Sequence, residues 1–183
     1  SARAAAASIA PRPRPWWRAS CNVGALAALM SENLTVTEVS MSDDPSLFAR
    51  TVQESEHWLD AVVARTDLAT RSEAYGALRA VLHRLRDRLE PTEAAHLAAQ
   101  LPTLVRGIYY EGWNPARAPH KVRDWESFKA EVEAEWPGAV RHDTDRAIQA
   151  VFAVLDEHVT KGELDDVRSE LPPDIEAHWP RAA

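Results

Sequence analysis

Apolar residues recur along most of this chain at the spacing of one helix face. Phe48, Val52, Ser55, Leu59, Val62 and Thr66 fall on a single stripe, with Trp58 on its shoulder. Thr70-Arg71-Ser72-Glu73 has the form of a capping box, in which the side chain at each end serves the backbone N–H of the other. It opens a second predicted helix whose buried face is Ala74, Leu78, Val81, Leu82, Leu85 and Leu89. Glu90-Pro91-Thr92-Glu93 stops that helix and starts a third, because proline suits a first helical position and an acidic first turn suits the helix dipole. Leu101-Pro102 breaks the third, and a fourth segment runs from Thr103 to Tyr110 and ends near Gly112.

The same recipe is then written again. Residues 58–106 moved forward by 70 positions fall on 128–176 without a gap: Val62 meets Val132, Arg71 meets Arg141, and Ala77, Ala80, Val81 and Leu85 meet Ala147, Ala150, Val151 and Leu155. Glu93, Leu101 and Pro102 meet Glu163, Leu171 and Pro172. Asp124 is the predicted N-cap of a helix through Trp136, Pro137-Gly138 is a turn, and a long helix follows from Asp143 to Val159. Thr160-Lys161-Gly162-Glu163 reads as a second capping box, and Leu171-Pro172-Pro173 precedes a last short helix ending near Trp179. No segment alternates with period two, so no sheet is predicted. The expected fold is all-α: two tandem pseudo-symmetric repeats of about four helical segments each, packed as one bundle, with the second helix of each repeat in the central layer.

The 183 residues are enough for about one domain. Residues 1–40 differ from the rest. Pro11-Arg12-Pro13-Arg14-Pro15 cannot sit in a regular helix, and Gly24 to Met30 is too short an apolar run for a convincing secretion signal. They read as a disordered tail, or as translated sequence upstream of a start at Met30 or Met41. The domain is then 41–183, made of repeat one (47–113), a connector (114–123) and repeat two (124–180). Cys21 is the lone cysteine, which fits a reducing cytosol.

Charge is distributed unevenly. Residues 114–123 carry three basic and no acidic side chains, whereas 124–183 carry 6 Lys+Arg against 15 Asp+Glu. The whole chain is at −7, which disfavours binding driven by neutralising nucleic-acid phosphates. No stretch approaches the length of a membrane span.

Several runs together resemble a known bacterial family. These are Ala77-Leu-Arg-Ala-Val-Leu-His-Arg-Leu-Arg-Asp-Arg-Leu89, Glu93-Ala-Ala-His-Leu-Ala-Ala-Gln-Leu-Pro102 and Arg106-Gly-Ile-Tyr-Tyr-Glu-Gly-Trp-Asn-Pro115. Ala150-Val-Phe-Ala-Val-Leu-Asp-Glu-His-Val159, Gly162-Glu-Leu-Asp-Asp-Val167, Leu171-Pro172 and Trp179-Pro180 join them. The chain resembles the domain of unknown function numbered 2267 over about residues 47–180. The resemblance implies a helical domain of the bacterial cytosol, and it brings no catalytic residue, ligand or activity.

Candidate chemistry is sparse. Glu54/His57 and Glu93/His96 have the Glu-x-x-His spacing of helical metal sites. His57, however, points about 160° from its helix's apolar stripe, Glu93 is explained as a first-turn residue, and Asp166 stands at the repeat equivalent of His96. No metal site is expected. His83 and Asp87, flanked by Arg84, Arg86 and Arg88, read as a solvated helix face with local ion pairs, and no nucleophile lies nearby in sequence. The ridge of Arg79, Arg84, Arg86 and Arg88 has no basic equivalent in repeat two and reads either as a contact with a second molecule or as the contact between the halves of one molecule. Six glycines and no phosphate-cradling motif leave no cofactor site.

The segment around the connector is the best interaction candidate. Arg106, Tyr110, Trp113, Arg117 and Lys121 are of the types that anchor interfaces. The competing reading packs Ile108, one tyrosine and Trp113 into the core and docks the basic residues on the acidic repeat of the same molecule. The sequence therefore points to a non-enzymatic interaction or regulatory accessory domain, with another protein or a second copy as partner and neither nucleic acid nor membrane. The alternative is an enzyme or small-ligand binder with its site in the groove between the repeats.

Overall fold

A computed structural model describes residues 46–120 and 124–180. The tail at 1–40 and Lys121 lie outside the described residues. Eight α-helices follow in order: α1 (Ser46–Val63), α2 (Arg71–Arg86), α3 (Pro91–Gln100), α4 (Thr103–Tyr110), α5 (Trp125–Glu135), α6 (Thr144–His158), α7 (Lys161–Glu170) and α8 (Pro173–Glu176). No strand occurs among the described residues.

Most starts and stops follow from local chemistry. Thr70 Oγ1 accepts the Glu73 N–H at 3.2 Å, and Glu73 Oε2 accepts the Thr70 N–H at 3.2 Å, which completes the capping box of α2. Asp124 caps α5 through the Ser127 N–H, and Asp143 caps α6 through the Arg146 N–H. Gly112 follows α4 at φ +66°, a left-handed conformation that glycine adopts without a Cβ clash.

α2 and α6 are the inner helices. Leu78, Val81, Leu82 and Leu85 from the first, with Ile148, Val151, Phe152 and Leu155 from the second, are buried in one continuous core. α2 packs against α1, α4, α5 and α6, and α3 packs against α7. Gly76 permits the contact with the α5 end, since a Cβ there would come within 2.8 Å of the Trp136 ring. α3 (Pro91–Gln100) and α7 (Lys161–Glu170) stand 70 residues apart at both ends, whereas no other pair of helices repeats both bounds at that offset. The order of buried, half-buried and exposed positions over 101–110 is the same as over 171–180.

Four expectations need correction. The buried face of α1 centres on Trp58 and Val62; Phe48 and Val52 are exposed. The cause is what covers the helix, because Trp58 stacks on His158 at the end of α6, with ring centres 4.9 Å apart. Thr160 makes no side-chain cap, so α7 has no capping box; Glu163 instead meets Glu93 across the α3–α7 contact. The last helix, α8, ends at Glu176, and only a turn reaches Trp179. Finally, the His83–Asp87 side of α2 is not a solvated face, and the arginine ridge meets Glu131 and Glu135 of α5 in the same molecule, one of the two readings open for it. His83, Arg86 and Arg88 are buried, because α4 and α5 lie over that side.

Candidate functional site

The covered side of α2 forms one wall of a cleft of about 340 Å³. Arg79, His83, Arg84 and Arg86 come from α2 and Asp87 from its C-cap, residues 111–120 form the opposite wall, and Glu135 closes one end from α5. Helical periodicity explains the convergence, since 79, 83 and 86 succeed one another on one side of the helix.

His83 and Arg86 cap a neighbouring helix. The final carbonyls of α4 have no partners within it. His83 Nε2 lies 2.7 Å from the Ile108 carbonyl oxygen. Arg86 Nη1 donates to the carbonyls of Tyr109 and Glu111. Positive charge at a helix C-terminus also opposes its dipole. Arg86 Nε reaches Asp87 Oδ1 at 2.9 Å, which pairs this buried cation.

Glu135 is the centre of charge. It receives Arg79 Nη1 at 2.9 Å and lies 2.5 Å from His83 Nδ1. Burial pushes its carboxyl up, but the hydrogen bond and charge of His83, with Arg84 and Arg79, outweigh this and hold it below the usual carboxylate range. Each ring nitrogen of His83 thus faces an acceptor. Both contacts are hydrogen bonds only when the ring carries two protons. Arg84 Nη2 is 2.8 Å from Glu135 Oε2, yet that oxygen has no aligned donor, so the contact is one of charge.

Arg88 lies behind the cleft, its side chain only 1% exposed. It donates to Glu131 Oε2 at 3.0 Å and sits 4.5 Å above the Phe128 ring. Burial pulls the Arg88 guanidinium down, and Glu131 opposes that. Arg79 donates to Glu111 Oε2 at 2.7 Å, which holds the Glu111 carboxyl below its usual range. At the rim, the His120 N–H donates to the Asp87 carbonyl oxygen at 2.5 Å, and the His120 ring lies 3.6 Å from Glu131 Oε1. Arg117 is exposed on the same wall and makes no ion pair among the described residues.

Of the residues singled out around the connector, Arg106, Tyr110, Trp113 and Arg117 have different surroundings, and Lys121 lies outside the described residues. Arg106 Nη2 donates to the carbonyls of Ala99 and Leu101 and so holds the end of α3. Tyr110 and Trp113 are half-buried, pack against the core and face each other with ring centres 5.3 Å apart. Tyr109 is fully buried and donates its hydroxyl to the Ala94 carbonyl at 3.0 Å. Arg117 belongs to the cleft. Sequence pattern alone puts His83 and Asp87 in water and leaves the α2 arginines open between a contact with a second molecule and one within the chain. Glu135 went unremarked, and its only signal was a position at the end of α5, next to Trp136.

Elsewhere, Glu93, His96 and Glu163 bring one ligand atom each within 4.8 Å of one another. Three donors fall short of the closed four-ligand set of a structural zinc site, and His96 is largely exposed. Glu93 Oε1 and Glu163 Oε1 are buried without a hydrogen-bond partner. Glu54 and His57 lie instead in a larger cavity of about 470 Å³ beside Trp58 and His158. Its volume exceeds that of the α2 cleft, but its only ion pair among the described residues, Arg50–Glu54, is a local one in water.

The chain matches the family described as "Uncharacterized conserved protein (DUF2267)" over residues 55–178, and it belongs to that family. No curated protein matches it. No helix among the described residues is long and apolar enough to cross a membrane.

Proposed function

We propose that this member of the family is a non-enzymatic binding domain whose working surface is the cleft between α2, α5 and residues 111–120. One observation carries the reading. The buried histidine of the cleft has both ring nitrogens engaged, and no hydroxyl, thiol or amine lines it among the described residues. A general base needs a nitrogen free to reach the substrate's proton, and covalent catalysis needs a nucleophile beside that base. The arginines that line the cleft are instead of a type that anchors recognition. The partner is another protein or a second copy of the chain, and the role is that of a regulatory accessory domain in the bacterial cytosol. The same reading takes the two halves as copies of one helical unit, supported by the offset of α3 and α7 and by the repeated burial pattern.

A tagged full chain retrieved from its host, with bound proteins identified by mass spectrometry, tests this. Arg117→Glu reverses a rim charge without touching the core, so the associated protein should be lost from that variant. Val140→Glu, at a side chain 97% exposed outside the cleft, should retain it. Equal recovery with both variants would refute the reading. The second reading, a small-ligand protein or enzyme using the same groove, draws on a cavity large enough for a small molecule and lined by convergent polar groups. Retrieval of a bound small molecule and no protein would favour it.

A further inference from the structure

We infer that the group recognised in this cleft is a phosphoryl group, a doubly charged oxyanion held chiefly by Arg84 and Arg117. The inference rests on the cleft being the working surface.

The charge balance points to the class of ligand. Four arginines line the cleft (79, 84, 86 and 117) against three carboxylates (87, 111 and 135), leaving one positive charge with His83 neutral and two with its ring doubly protonated. Arg88 and Glu131 behind the cleft cancel each other. The chain as a whole is at −7, so this is a positive island in an acidic molecule, and a recessed site focuses such a potential. A phosphate monoester carries close to two negative charges at pH 7 and offers three acceptor oxygens. A carboxylate carries one charge and would add little to a cleft that already holds three.

The donors point the same way. Arg86 and Arg79 are occupied, the first by helix carbonyls and Asp87, the second by Glu111 and Glu135. Arg84 is paired by charge with Glu135 Oε2 at 2.8 Å but makes no aligned hydrogen bond: its Nε is buried without an acceptor, and its contacts to Asp87 and Glu131 are 3.5 and 3.8 Å. Arg117 has no ion pair among the described residues, and His120 stands beside it with its ring 60% exposed. Two guanidinium forks with unfilled donors and a rim imidazole match the acceptors of a phosphoryl group. The volume of about 340 Å³ leaves room for what the phosphoryl group is attached to.

The test is a titration of the ¹⁵N-labelled full chain with inorganic phosphate, against chloride at equal ionic strength. Phosphate should give saturable shifts confined to amides of residues 79–87, 111–120 and 135, half-complete in the millimolar range. Arg117→Ala and Arg84→Gln should each weaken binding about tenfold or more, with Arg117→Ala melting in chloride at the wild-type temperature. No saturation by 50 mM phosphate, or unchanged affinity in both variants, would overturn the inference. A phosphoserine peptide then separates the sources. Tighter binding than inorganic phosphate places the group on a partner protein, and equal binding places it on a free small molecule. Failure here with the co-purified protein still lost in Arg117→Glu would sink only the phosphoryl assignment. Phosphate binding without any cleft-dependent protein would sink only the protein-partner reading.

Discussion

Leu82 has no exposed surface and sits on α2 where the core of both halves meets. Truncating it to alanine removes three buried carbons and leaves a cavity that close-packed neighbours only partly fill. Leu82→Ala should therefore cost about 2–5 kcal/mol in denaturant unfolding. A loss below about 1 kcal/mol would place the wrong face of α2 inward. That face was legible from spacing alone, since leucine and valine at helical intervals have one physical use in water. The opposite face was not. His83, Arg86 and Arg88 look like solvent residues until α4 supplies carbonyls and α5 supplies Glu131 and Glu135. No local pattern encodes partners that arrive from 23 to 52 residues away.

Between helices, the α3–α7 contact makes a pH-dependent prediction. Burial first, then the neighbouring Glu163 carboxylate, raises the Glu93 carboxyl above its usual range. A carboxyl raised in the folded state favours folding most when protonated. Its contribution is fully present below the unfolded-state value and is lost as pH rises through the folded-state one. Glu93→Gln supplies a permanently neutral group that can donate to Glu163. The variant should gain melting temperature relative to the wild type at pH 7 and lose that gain at pH 4; a constant difference would contradict the account. The sequence shows glutamates at equivalent places in two first turns, Glu93 and Glu163, and capping-box patterns opening at Thr70 and Thr160. Thr70 does cap α2, but Thr160 makes no cap and Glu163 turns to α3. Local rules cannot foresee that choice, because the competing partner lies on another helix.

For the molecule as a whole, the two stretches of helix that sequence comparison aligns pack on each other through α2 with α5 and α6, α1 with α6, and α3 with α7. The cleft is a consequence of that closure. Arg79 and Arg84 stand on α2, Glu135 stands on α5, and neither wall alone assembles the charge cluster. The all-helical class was readable from periodicity, caps and prolines. The site was not, since it depends on which polar faces the closure covers. If the core is continuous, the two stretches must unfold together. Native-state hydrogen exchange in rising denaturant measures this directly, because it assigns an opening free energy to each helix. The slowest amides of α2 and of α6 should converge on one value, the free energy of global unfolding. Amides of α2 to α4 opening at a distinctly different free energy from those of α5 to α7 would show two independent modules and contradict the account.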